Sequence, residues 1–269
     1  MIRLRQYSIL ICDHTDTKVK TLAKKKNLEE SMTNNEQSRP SLRLSEQHGV
    51  VSIDSDELEG HALSIDYFDS AFLHRLKTFG LKQDLAKACG LPKKRDSRVL
   101  DITAGMGIDA VSLAYLGARV SLLERNPMIF ALLENAFERA SLVSERDSQV
   151  ESQLIEAFRS RLTLELKQDS YRFLQELQIA EFDCIYFDPM FPERKKSAKV
   201  KKAMQYFHSV AGIDLQQEPK ILSLALAKAG RRVVVKRPKG ANEIANQQGL
   251  EPSYVVAGKT VRFDVYLIS

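Results

Sequence analysis

Cysteine is scarce in this chain: Cys12, Cys89 and Cys184 are far apart, odd in number and lack any Cys-x-x-Cys spacing. That pattern sets aside a disulfide framework and a structural zinc site, and it points to a reducing compartment. No metal is expected. Long apolar runs are missing as well, and Tyr7 to Cys12 is too short for the apolar region of a secretion signal, so the expectation is a soluble cytoplasmic protein with no membrane partner. Internal repeats are absent. Charge of either sign is nearly balanced, with 40 Lys and Arg against 35 Asp and Glu and a net charge of +5. Such a surplus tilts the surface toward polyanions without naming one.

What remains is enough for a catalytic domain. The chain has 269 residues, 43% of them hydrophobic, which is sufficient for a proper core. Its texture changes near residue 95. Residues 1–92 read as a small N-terminal extension, partly mobile because 13–48 are dominated by Lys, Glu, Ser, Asn and Gln. Weak alternation over 49–68 suggests a hairpin, and a helical stretch from Leu81 to Cys89 runs into Gly90 and Pro92 as a boundary. Residues 93–269 alternate in type. Strands are predicted at 98–102, 119–124, 161–166, 182–187, 231–236, 253–257 and 262–267, with helical patterns between the first five. This is the α/β pattern of a mostly parallel seven-stranded sheet covered by helices on both faces. Only Gly258 to Val261 join the last two strands, so these form an antiparallel hairpin. The charged stretch Ser144 to Arg159 reads as a helix extension with a solvated face.

Two motifs carry chemistry. Arg98 to Ala110 reads as strand, glycine turn and helix, in which Gly105 and Gly107 let the backbone pass close to a ligand at a helix N-terminus. The next strand ends in Glu124, placed to bind the ribose hydroxyls of an adenosine. Gly105-x-Gly107-x-x-Ala110 also fits a dinucleotide fingerprint, which keeps an NAD-dependent oxidoreductase in view. Asp101 weighs against it: a carboxylate before the glycines repels pyrophosphate and attracts a sulfonium or an ammonium group. The second motif is Asp188-Pro189-Met190-Phe191-Pro192, past the end of the strand that includes Ile185. An exocyclic amine on a nucleobase is a poor nucleophile and needs fixed acceptors. Asp188 and the Pro189 carbonyl supply them, and Phe191 offers a stacking face. Lys195, Lys196, Lys199, Lys201 and Lys202 follow at once, and Lys236 and Arg237 end the fifth strand, so these residues are expected to contact RNA phosphates.

Together the motifs resemble one family. The segments Asp101 to Ala110, Leu123 to Pro127, Tyr186 to Val210, Val233 to Pro238 and Arg262 to Tyr266 are similar to the RsmJ family of bacterial small-subunit rRNA guanine-N2 methyltransferases. The resemblance spans roughly residues 60–269 and implies a Rossmann-like class I methyltransferase fold. It also implies S-adenosylmethionine as methyl donor and N2 of a guanosine in 16S rRNA, naked or within the small ribosomal subunit, as acceptor. Ile108, Asp109, Glu124, Arg125, Asp169, Ser170 and Asp188 are the positions it implies for the cofactor site. This chain departs at Ile108, where the family has Arg. An N6-adenine methyltransferase and a noncatalytic ribosome-assembly factor are the other readings. The expected reaction is a direct in-line methyl transfer to a positioned amine, in which positioning supplies much of the catalysis.

Overall fold

The computed structural model describes residues 11–12, 42–55, 62–144, 148–165, 169–189 and 216–268. Its main sheet has seven strands, β4 (Arg98–Asp101), β5 (Arg119–Leu122), β6 (Leu162–Leu164), β7 (Cys184–Phe187), β8 (Arg232–Pro238), β9 (Tyr254–Ala257) and β10 (Val261–Leu267). They lie in the order β6-β5-β4-β7-β8-β10-β9. The first five strands of this sheet in chain order are joined by four parallel pairings, and β10 runs antiparallel to both β8 and β9. The chain steps outward from β4 to β6, then returns to β7 on the other side of β4. The crevice at the carboxyl ends of β4 and β7 is therefore the switch point where open α/β sheets bind ligands.

Period-two alternation builds the two cores. Val99, Val120, Tyr186 and Val234 face one cluster, and Leu100, Ile185, Val233 and Val235 face the other. Helices α2 (Asp84–Ala88), α3 (Ile108–Tyr115), α4 (Pro127–Ser141) and α5 (Gln149–Ser160) cover the first cluster. Helices α6 (Ser170–Glu176) and α7 (Glu218–Lys228) cover the second. Because both faces are covered, the strands carry near-continuous apolar runs, each fully buried Val, Leu or Ile contributing about 1.5–3 kcal/mol. Among the described residues no helix is long and apolar enough to cross a membrane.

The chain departs from expectation in two places. A short β1 (Ile11–Cys12) pairs with β2 (Leu42–Gln47), and β2 with β3 (Val50–Ser55). The hairpin over 49–68 is thus replaced by one that draws its first strand from the polar stretch. Its two-residue turn is the reason: His48 and Gly49 both have positive φ, 52° and 79°, as a primed hairpin turn needs. Residues 62–68 add only a bridge from Leu63 to Ile53 before Ile65 and Tyr67 enter the core. The hairpin docks on α4, where Asn135 accepts from the Val51 N–H at 3.0 Å and donates to Gly49 O at 2.9 Å. The charged stretch after residue 144 also differs. It forms the separate helix α5, whose buried Leu154, Ile155, Ala157 and Phe158 make it a core element.

Candidate active site

The glycine turn after β4 is held from below and from the side. Gly107, with φ of 69°, caps α3, and a Cβ there would sit 2.5 Å from the Tyr67 hydroxyl. Tyr67 donates that hydroxyl to Met106 O at 2.9 Å and packs its ring against Phe72, Phe137 and Phe158 at centroid distances of 5.7, 6.0 and 5.1 Å. From the side, Glu124 accepts the Gly105 N–H at 3.0 Å and the Asn126 N–H at 2.7 Å. Asn126 then caps α4 by accepting from Met128 and Ile129. The acid read as a ribose ligand therefore also fixes the turn.

Four carboxylates gather at this edge. Asp101 is 2% exposed and accepts the Thr103 N–H at 3.0 Å. Thr103 in turn accepts the Asp188 N–H on its hydroxyl at 2.7 Å, tying the end of β4 to the segment after β7. Asp109, in the first turn of α3, accepts from the Tyr186 hydroxyl at 2.7 Å and from Lys236 Nζ at 2.7 Å. The same ammonium reaches Asp188 Oδ2 at 2.8 Å. Arg75, on α1 (Ser70–Thr78), stands 3.6 Å from Asp109 Oδ1.

Burial and neighbours set the protonation of these groups. Burial pushes the Asp101 carboxyl up to about 8, opposed by the Thr103 amide and reinforced by Asp109 and Asp188. Glu124 is raised by burial against the pull of the Asn126 and Gly105 amides. Asp188 is raised by desolvation and by Asp109, with Lys236 opposing. Burial also acts on Asp109, yet Lys236, then Tyr186 and Arg75, bring it below the ordinary carboxylate range. Two neighbouring acids are thus driven apart, Asp188 toward proton uptake and Asp109 toward permanent charge.

The edge brings together Asp101, Gly105, Gly107, Ile108, Asp109, Glu124, Arg125 and Asp188. Asp169 caps α6 by accepting from Tyr171 and Arg172, and Ser170 donates to Ile102 O at 2.5 Å, so both position α6 against the end of β4. Pro189 is buried beside Asp188. Phe191, Lys195, Lys196, Lys199, Lys201 and Lys202 lie outside the described residues. Two expectations change. Lys236 does not reach out toward phosphate, because its ammonium is held between Asp109 and Asp188. Arg237, one position on, points to the other face of β8; it is 6% exposed and donates to Asn242 O at 3.1 and 2.9 Å. Thr103, Tyr186, Tyr67 and Arg75 went unread in the sequence. A lone lysine in the apolar run Val233-Val234-Val235-Lys236 was the available signal, since a buried cation needs a carboxylate.

A family model described as "Putative SAM-dependent methyltransferase" matches residues 21–268. A ribosomal RNA small subunit methyltransferase J from Cellvibrio japonicus is 44% identical over 76% of this chain and 74% of its own length. Another of the same name, from Colwellia psychrerythraea, is 42% identical over 82% of this chain and 75% of its own. The chain belongs to this methyltransferase J family. A solved SAM-dependent methyltransferase from Neisseria gonorrhoeae, 27% identical, superposes with a TM-score of 0.61 over 88% of this chain and 86% of that one. Its fold is that of the family, and S-adenosylmethionine is the family's cofactor. The residues present fit that molecule: a glycine turn open to close approach, with carboxylates on both flanking strand ends and no cationic side chain in the turn to receive a pyrophosphate.

Proposed function

We propose that this chain methylates the exocyclic N2 amine of a guanosine in 16S rRNA. The observation that carries the reading is Asp188 at the switch point, its backbone N–H fixed by Thr103 beside the cofactor turn, its carboxylate held by Lys236, and Pro189 following. Glu124 and Asp101 would hold the ribose and the cationic part of S-adenosylmethionine, which supplies a methyl group on a sulfonium. Lys236 occupies Asp188 Oδ2, and Oδ1 has no partner among the described residues, so it is the oxygen that accepts a hydrogen bond from the incoming amine. The Pro189 carbonyl is the second acceptor, and Phe191 is the stacking face. Asp188, its proton affinity raised by its surroundings, also takes up the proton that the amine loses on methylation. Lys195, Lys196, Lys199, Lys201 and Lys202 track the RNA backbone, and an rRNA substrate places the enzyme in the cytoplasm.

The test is methyl transfer from labelled S-adenosylmethionine to 16S rRNA taken from a strain that lacks the enzyme, with mass mapping of the product nucleoside. Label in N2-methylguanosine is expected, and Asp188→Ala is expected to abolish it while the protein stays folded. Label in a methylated adenosine, or full turnover by the variant, overturns the reading.

A further inference from the structure

The end of the sheet opposite the active site carries a second concentration of charge. Strands β4 and β5 begin with Arg98 and Arg119, which are register partners. Arg161 precedes β6, Arg231 precedes β8 and Arg232 opens it. Asp183 joins the line: its carboxylate accepts the Arg98 N–H at 2.9 Å, and its carbonyl accepts the N–H groups of Arg231 and Arg232 at 3.0 and 3.1 Å. Above this row runs the loop Lys93-Lys94-Arg95, whose Arg95 carbonyl borders Gly117 just before Arg119. A depression beside it is lined by Lys93, Lys94, Ser97, Asp183, Arg231 and Arg232, among others.

Some of these cations serve the fold. Lys94 pairs with Asp183 at 3.0 Å, Arg161 with Glu156 at 2.7 Å, and Arg232 donates to Ala88 O at 3.0 Å. Lys93, Arg95, Arg119 and Arg231 are exposed and have no ion pair among the described residues. Asp96, Glu156 and Glu181 are exposed acids of the same edge, Glu156 being the partner of Arg161. Eight basic side chains therefore share one edge of a chain whose net charge is only +5. At about 4.8 Å between strands, the row from β6 to β8 is about 19 Å long.

We propose that this edge is a second RNA-backbone contact, so that the enzyme grips its rRNA at both ends of the sheet and binds a long or folded RNA more tightly than a short target strand. The proposal rests on the rRNA reading above. Strands four to seven residues long separate the two contacts by about 13–23 Å, which an RNA engaging both must span.

The test replaces Arg95, Arg119 and Arg231 together by Gln, with the corresponding triple Lys variant as control. Binding of a 16S rRNA transcript and of small subunits is measured across a salt series, with S-adenosylmethionine affinity and methylation of a short target-bearing oligonucleotide in parallel. The Gln variant is expected to lose about 2 from the slope of log affinity against log salt, at about 0.7–0.9 for each phosphate contact. The Lys variant keeps the slope, and cofactor affinity and oligonucleotide methylation stay unchanged in both. Unaltered slopes on transcript and subunit overturn the proposal. A loss confined to assembled subunits overturns it in favour of contact with a ribosomal protein. Absence of rRNA methylation by the wild-type enzyme sinks the substrate reading alone, because the edge is scored on binding.

Discussion

Replacing Lys236 by Met strands two carboxylates. Its ammonium lies 2.7 Å from Asp109 and 2.8 Å from Asp188, with the three side chains 24%, 16% and 37% exposed. Breaking a fully buried ion pair costs about 3–5 kcal/mol, whereas exposed pairs are worth about 0.2–1 kcal/mol. This half-open triad falls between, and water reaching Asp188 screens part of the loss, so about 2 kcal/mol is expected. For a chain of this size that lowers Tm by about 4–8 °C. The pH dependence carries the sign. Asp109 is held below its ordinary range, so its contribution is present above about pH 4 and is lost as pH falls through the folded value. Wild type and Lys236→Met should therefore differ fully at neutral pH and converge in acid. Adding Asp109→Asn removes the stranded charge while keeping an acceptor for Tyr186, and should restore about half of the loss. In turnover, loss of the cation raises Asp188 further, so the acid limb of the pH–rate profile moves to higher pH. Thermal melts from pH 3 to 8 and kcat over the same range check both arms. A loss under about 0.5 kcal/mol with an unmoved acid limb refutes the reasoning.

Asp101→Asn tests the buried acid. Burial holds Asp101 up to about 8, so the folded state binds the extra proton and wild-type stability falls as pH rises from about 4 to 8. The variant should gain on wild type by about 3–4 kcal/mol between pH 5 and pH 8 in thermal melts and should bind S-adenosylmethionine less tightly; parallel pH trends would remove Asp101 from this role. Gly107→Ala meets both a left-handed backbone and the Tyr67 hydroxyl, for a loss of at least about 2 kcal/mol by denaturant unfolding. Tyr67→Phe in the same chain should recover part of it, and a wild-type midpoint for Gly107→Ala would contradict the packing.

The sheet was legible because each strand announces itself locally. Val99-Leu100 and Val233-Val234-Val235 are apolar on both faces, and the four-residue link Gly258 to Val261 leaves no length for a crossover. The glycines and strand-end acids were legible for the same reason, since the turn needs them at fixed spacing. What escaped depends on partners distant in sequence. Nothing near Lys236 reveals that Asp109 and Asp188 flank it, and only strand alternation separates it from Arg237, which is turned to the opposite face. The first hairpin escaped because its decisive residues, His48 and Gly49, act through φ and not through hydropathy.

Tyr67 also sets a timetable. Its ring is buried by Phe137 on α4 and Phe158 on α5, while its hydroxyl braces the glycine turn. During synthesis at about 5–20 residues per second, Tyr67 leaves the ribosome roughly 5–20 s before Phe158 does. Throughout that interval the Tyr67 ring lacks the second of the two helices that cover it. The nascent chain thus meets its cofactor site late, once α5 has closed over an aromatic placed more than a third of the protein earlier, and any pause in translation between them prolongs the exposure of that ring.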